Sequence, residues 1–133
     1  ESVHDPLPFD RAMLADITRS EGKPVFVWFT ADWCVTCKVN ERVAIEREVV
    51  KQAFDKAGVV TMRGDWSRPD PKITEFLTER GVAGVPLYLW YAPGQQVEQL
   101  PQVLTAEMLV ERAQAAGPAG GTGSPARPAA ATD

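Results

Sequence analysis

Histidine is nearly absent from this 133-residue chain: His4 is the one copy. Cysteine is almost as scarce, and both copies fall in the single stretch ADWCVTCKVNE, residues 31–41. A structural zinc site draws four ligands from Cys and His, so two cysteines and one distant histidine fall short of it. A disulfide-stapled secreted scaffold is excluded as well, because it needs several bridges. One bridge across so small a loop constrains the unfolded chain very little. Long apolar runs are also missing. VFVWF at 25–29 and VPLYLWYA at 85–92 are the longest, far short of the roughly 20 residues that cross a bilayer as a helix. No basic run or basic–aromatic cluster occurs, and 14 basic against 18 acidic residues leave a net charge of −4. That balance argues against a nucleic-acid partner. The opening ESVHDPLPFD lacks the basic and then apolar segment of a secretory signal, and so reads as a mature or excised N-terminus.

What is present suits one soluble domain with a real core: 44% hydrophobic and 24% charged residues. Residues 1–8 hold two prolines and no periodic pattern, an irregular lead-in. Met13, Leu14 and Ile17 share a helical face, stopped by Gly22. VFVWFT is an unbroken apolar run of β-formers, as a central strand buried on both faces requires. A long helical stretch follows from Cys34 to Ala57, with Val39, Val43, Val50 and Phe54 at helical spacing and Gly58 at its end. The polar Glu46-Arg47-Glu48 marks a bend within it. VVTMRGDW (59–66) is a second strand. Pro69-Asp70-Pro71 opens a helix through Ile73, Phe76 and Leu77, which Gly81 closes. VPLYLWY is a third strand, and Ala92-Pro93-Gly94-Gln95 turns it into VEQL as a hairpin. Thr105 caps a last helix through Met108, Leu109 and Arg112. Strands alternating with helices predict an α/β domain over 1–117 with parallel pairing and an antiparallel hairpin at the edge. Residues 118–133 are almost wholly Gly, Pro, Ala, Ser and Thr, a composition expected to stay disordered.

The cysteines stand where a buried strand turns into a helix. At the first helical turn, Cys34 lies near unpaired backbone N–H groups and the positive end of the helix dipole, and both favour a thiolate. Cys37 is an i, i+3 neighbour, roughly 5–6 Å away and within reach of a disulfide. That arrangement suits exchange: Cys34 attacks a partner's disulfide and Cys37 resolves the mixed intermediate. Half of a metal site and an inert pair are the competing readings. His4, in the lead-in, reads as a solvated terminal residue.

ADWCVTCK before a helix, with GVP before a strand, resembles the thioredoxin fold. ADWCxxCK with Glu41 resembles the C-terminal thioredoxin-like (gamma) domain of DsbD-type transmembrane thiol:disulfide interchange proteins. VFVWFTADWCVTCKVNERVA, GVPLYLWYAPG and LPQVLT are similar to the ScsB-like branch of that family, and the resemblance spans residues 8–116. It implies a thioredoxin-like α/β fold with a central mixed sheet flanked by helices, ending in an antiparallel hairpin and a helix. It implies a thiol:disulfide reductase without a cofactor beyond the Cys34–Cys37 disulfide. The expected setting is periplasmic, in an inner-membrane protein whose transmembrane domain donates the electrons. A disulfide-bearing periplasmic domain or protein accepts them, and the isolated domain is expected to be a monomer. The resemblance also makes Val85-Pro86 the cis-proline that faces the dithiol and leaves a backbone edge open for substrate. Trp33 is expected to shield the disulfide, and Trp28, Trp66 and Trp90 to pack. Two other readings remain open: a free-standing periplasmic thioredoxin or isomerase, and a binding module such as a metal chaperone.

Glu41 stands one helical turn beyond Cys37, on the same face as both cysteines. A carboxylate there holds or relays a proton and opposes a thiolate; the alternative is a solvated partner for a basic neighbour. Members of the family carry a buried aspartate six residues before the first cysteine, where this chain has Trp28. Proton handling for Cys37 then falls to Glu41, water or Asp32, and Asp32 reads equally as the helix cap. Lys38 is expected to face away from Glu41. Val35-Thr36 adds no charge between the cysteines, Asp32 and Glu41 oppose an anion, and the helix dipole, worth up to about 2 kcal/mol, favours one. The balance predicts a Cys34 pKa that is not strongly depressed and a reducing potential.

Overall fold

The chain, as a computed structural model, is described over residues 2–117. The tail expected at 118–133 lies outside the described residues. The elements in order are β1 (Leu7–Pro8), α1 (Arg11–Ala15, continued by a π-helical turn over Asp16–Ser20), β2 (Val25–Thr30) and α2 (Val35–Asn40, continued by a π-helical turn over Glu41–Ile45). Next come α3 (Glu48–Ala57), β3 (Val60–Asp65), α4 (Pro71–Glu79), β4 (Leu87–Tyr91), β5 (Glu98–Gln99) and α5 (Ala106–Ala116). The strands form one mixed sheet in the order β1-β3-β2-β4-β5.

VFVWFT is the central strand, and all six residues are buried. Its alternation sorts the core into two layers, as a period of two demands. Phe26 and Trp28 face α3 and α5 with Tyr88, Trp90, Ile45, Val50, Phe54 and Leu109. Val25, Val27 and Phe29 face α1 and α4 with Leu14, Ile17, Met62, Phe76 and Leu89. Gly64 lies opposite Phe29 in the β2–β3 register, and the Phe29 ring fills the space where a Cβ at Gly64 would stand.

Five expectations need correcting. The antiparallel part of the sheet is not confined to its edge, because β4 runs antiparallel to β2 with Phe29 opposite Leu87. The connecting residues 80–86 explain this: seven extended residues reach up to about 23 Å, enough to return the chain to the Phe29 end of β2 before β4 begins. That end is where the cysteines are. The lead-in is not irregular throughout, since Leu7 and Pro8 pair with Met62 and Arg63 as a short parallel edge strand. Met13 is exposed while Leu14 and Ile17 are buried.

The fourth correction concerns the long helix. It breaks at Glu46 (ψ 53°) and Arg47 (extended, φ −115°, ψ 139°), without proline or glycine. Val39 and Val43 are exposed, and Cys37, Asn40, Ala44 and Ile45 face inward instead. Cys37, Asn40 and Ala44, at three- and four-residue spacing, form the buried face, and Val39 and Val43 share the opposite one. The lead-in clasps this break. Ser2 Oγ and Val3 N–H donate to Glu46 Oε1 at 3.0 and 2.8 Å. His4 Nε2 lies 2.7 Å from the Ile45 carbonyl, with its ring 5.2 Å from that of Phe54. His4 is therefore a half-buried packing residue, not a solvated one.

Candidate active site

The central strand delivers its last residues to the rim of the sheet, where Ala31–Trp33 turn the chain into α2. The Cys34 N–H donates to the Ala31 carbonyl at 3.1 Å. Cys34 has extended backbone (φ −93°, ψ 104°) and is itself the N-cap, its sulfur accepting the Cys37 N–H at 3.2 Å. Asp32 therefore does not cap the helix; the sulfur has taken the place that a carboxylate oxygen usually fills. Cys34 and Cys37 are joined as a disulfide with Cα atoms 5.2 Å apart. Cys37 has no exposure and Cys34 retains 8%, so an incoming sulfur can reach only Cys34. Ala31 and Val85 pack against the pair, and the Val85–Pro86 peptide is cis. Trp33, 60% exposed, donates from Nε1 to the Ser67 carbonyl at 3.3 Å, with its ring 6.2 Å from that of Trp66.

Residues 9–93 match the family described as thioredoxin-like. This chain belongs to the thioredoxin-like family. Among curated proteins it is 32% identical over 84 residues to the thiol:disulfide interchange protein DsbD of Yersinia enterocolitica, covering 62% of this chain and 14% of that protein. It is 30% identical over 107 residues to DsbD 2 of Pseudomonas aeruginosa, covering 80% and 17%. The chain thus spans less than a fifth of the length of these relatives. Among solved structures, the C-terminal domain of Neisseria meningitidis DsbD in the reduced form superposes with a TM-score of 0.64 at 26% identity, over 82% of this chain and 98% of that one.

Charges around the thioredoxin-like dithiol are more balanced than the sequence suggests. Lys38 does not face away from Glu41: its Nζ donates to Glu41 Oε1 at 3.2 Å and lies 3.8 Å from Asp32 Oδ1. The long lysine stem lets one ammonium serve both carboxylates across the start of the helix. Asp32 is exposed and Glu41 largely covered, 83% against 16% for the side chains. Glu41 Oε2 is fully buried and meets no hydrogen-bond partner among the described residues. The Trp28 indole N–H is likewise buried without a partner, its ring stacked on Phe26. Trp28 packs in the layer with Phe26, Tyr88 and Trp90 and carries no titratable group. Among the described residues no group of three or more Cys, His, Asp or Glu could hold a metal ion.

Two polar clusters beside the dithiol escaped the sequence reading. Ser67 Oγ accepts the Asp32 N–H at 2.8 Å and donates to Asp65 Oδ1 at 2.6 Å, which also takes the Ser67 N–H at 2.9 Å. These Ser67 bonds hold the Asp65 carboxyl below the usual carboxylate range, with Arg63 and Lys38 helping. The Asp-x-Ser spacing just after a strand was the available signal. The second cluster is Asn40, a buried amide on α2, three residues past Cys37. Its Nδ2 donates to Tyr88 Oη at 3.0 Å and to the Gln102 carbonyl at 2.7 Å, and its Oδ1 accepts the Leu104 N–H at 3.2 Å. Burial pushes the Tyr88 phenol up to about 12. The signal for Asn40 was a polar residue on an inward face, which the misplaced helix phase hid.

Proposed function

We propose that this domain is the C-terminal redox domain of a DsbD-type protein, of the ScsB-like branch, and relays electrons as a thiol:disulfide reductase. The domain is a thiol:disulfide oxidoreductase, and the observation that carries the direction of attack is the difference in reach between its sulfurs. With the disulfide reduced, the Cys34 thiolate attacks one sulfur of a partner's disulfide. That S–S bond breaks, a mixed disulfide forms, and the partner's leaving sulfur takes a proton. Cys37, deprotonated, then attacks Cys34 Sγ and releases the partner's second thiol. Two electrons and two protons have passed to the partner, and the Cys34–Cys37 disulfide is restored.

The supporting roles are part of the same proposal. Glu41, at the end of α2 one turn beyond Cys37 and with one buried oxygen, takes the proton from Cys37. Asp32 and Lys38 tune the charge at Cys34. Trp33, Val85 and Pro86 form the walls between which the partner's strand lies. Residues 1–117 make up the redox unit. The likeness to DsbD proteins supports a periplasmic domain of an inner-membrane protein, charged by that protein's transmembrane domain and discharged by a periplasmic disulfide-bearing domain. The test is a Cys37→Ser variant mixed with a disulfide-bearing protein such as insulin. A covalent adduct through Cys34, released by reductant, is expected, whereas no adduct from Cys37→Ser, or one formed through Cys37 by a Cys34→Ser variant, contradicts the assignment.

A further inference from the structure

Gln102 stands in the exposed segment between β5 and α5, away from the chemistry in sequence. Its backbone carbonyl is held by Asn40 of the dithiol helix at 2.7 Å. Its side-chain Nε2 donates to the Pro86 carbonyl at 2.9 Å. One residue thus ties together the two walls of the site: α2, which carries Cys37, and the 85–86 segment, whose Val85 packs on the disulfide. The helix end of the tie is rigid. Asn40 is 3% exposed, and its amide meets two acceptors on one side and a backbone donor on the other, which fixes the orientation of the carboxamide. The next anchor, Leu104, is 2% exposed and donates its N–H to Asn40. The Gln102 side chain, in contrast, reaches Pro86 from the surface.

We propose that Asn40 and Gln102 are positioning residues that set the gap between the dithiol and the Val85–Pro86 segment, and so set how well protein disulfides are accepted. The inference rests on the reductase reading above. A protein substrate extends on both sides of its disulfide and has to pass over Val85 and Pro86 while its sulfur meets Cys34. A small disulfide makes no such demand. A gap that opens by a fraction of an ångström therefore penalises the protein substrate selectively.

The experiment compares wild type with Q102A, a surface change that leaves the Asn40-to-backbone bond in place, on insulin and on glutathione disulfide. Loss of one hydrogen bond predicts a kcat/KM for insulin lowered about three- to tenfold, mostly through KM, with glutathione disulfide changed less than twofold. Q102K, which keeps an N–H donor of similar reach, restores most of the insulin rate. Unchanged insulin reduction by Q102A, an equal fall on both substrates, or a Q102K variant as slow as Q102A overturns the inference alone. A wild-type domain that reduces neither disulfide removes the reductase reading and this inference with it.

Discussion

Each sulfur of the dithiol meets a different electrostatic surrounding, and single charges decide the outcome. Cys34 sits at the helix start, with Lys38 bridging Asp32 and Glu41 on the far side of the turn. Removing the Glu41 charge removes a repulsion from the thiolate, so Glu41→Gln lowers the Cys34 pKa, read from thiolate absorbance against pH. Lys38→Met leaves the two carboxylates uncompensated and moves the same titration upward, the less so because the ammonium is partly exposed. Two shifts of the same sign would contradict this arrangement. Tyr88 supplies a second titration. Burial raises its phenol to about 12, against roughly 10 in an unfolded chain. A raised folded value means that its stabilising contribution is complete below about pH 10 and is lost as pH rises towards about 12. Tyr88→Phe therefore shows a shallower loss of stability between pH 10 and 12 in urea unfolding. Tyr91, shifted upward by burial as well, keeps part of the slope.

Elements were legible in the sequence where local chemistry and tertiary packing agree. VFVWFT reads as a buried central strand and is one; Asp70 with Pro71, Thr105 and Gly58 mark helix ends that the backbone adopts, Gly58 at φ 70°. The dithiol and its helix start were legible because their chemistry depends on short spacing, whereas the cis Val85-Pro86 came only from the family resemblance. The phase of the helix after Cys37 was not legible, because Val39 and Val43 form an apolar stripe at helical spacing while the face turned inward is that of Cys37, Asn40 and Ala44. Nor was Lys38, whose flexible stem can reach either carboxylate. The tie through Asn40 and Gln102 joins residues 62 apart, a separation at which local pattern says nothing. Packing also sets a prediction at this scale. Gly64→Ala drives a methyl group into the Phe29 ring on the central strand, and overpacking of this kind costs about 1–3 kcal/mol. Urea unfolding measures it, and a variant as stable as wild type would show that the β2–β3 contact yields freely.

The whole molecule is a thioredoxin-like sheet whose one antiparallel reversal, at β4, brings the 80–86 connection back to the end of β2 where the dithiol stands. That reversal is what turns a cysteine pair at a helix start into a site with two walls. One ammonium, Lys38, stands against two carboxylates at positions 32 and 41, and Val35-Thr36 adds no charge between the cysteines, so beyond the helix start the thiolate gains little extra stabilisation. An oxidase needs that stabilisation in its reduced state. The direction of electron flow is therefore the central claim, and the equilibrium potential of the Cys34–Cys37 couple against a glutathione or dithiothreitol buffer tests it most directly. The account predicts a value near that of thioredoxin, about −270 mV, whereas one near about −120 mV, the range of a strong disulfide-forming oxidant, would contradict it.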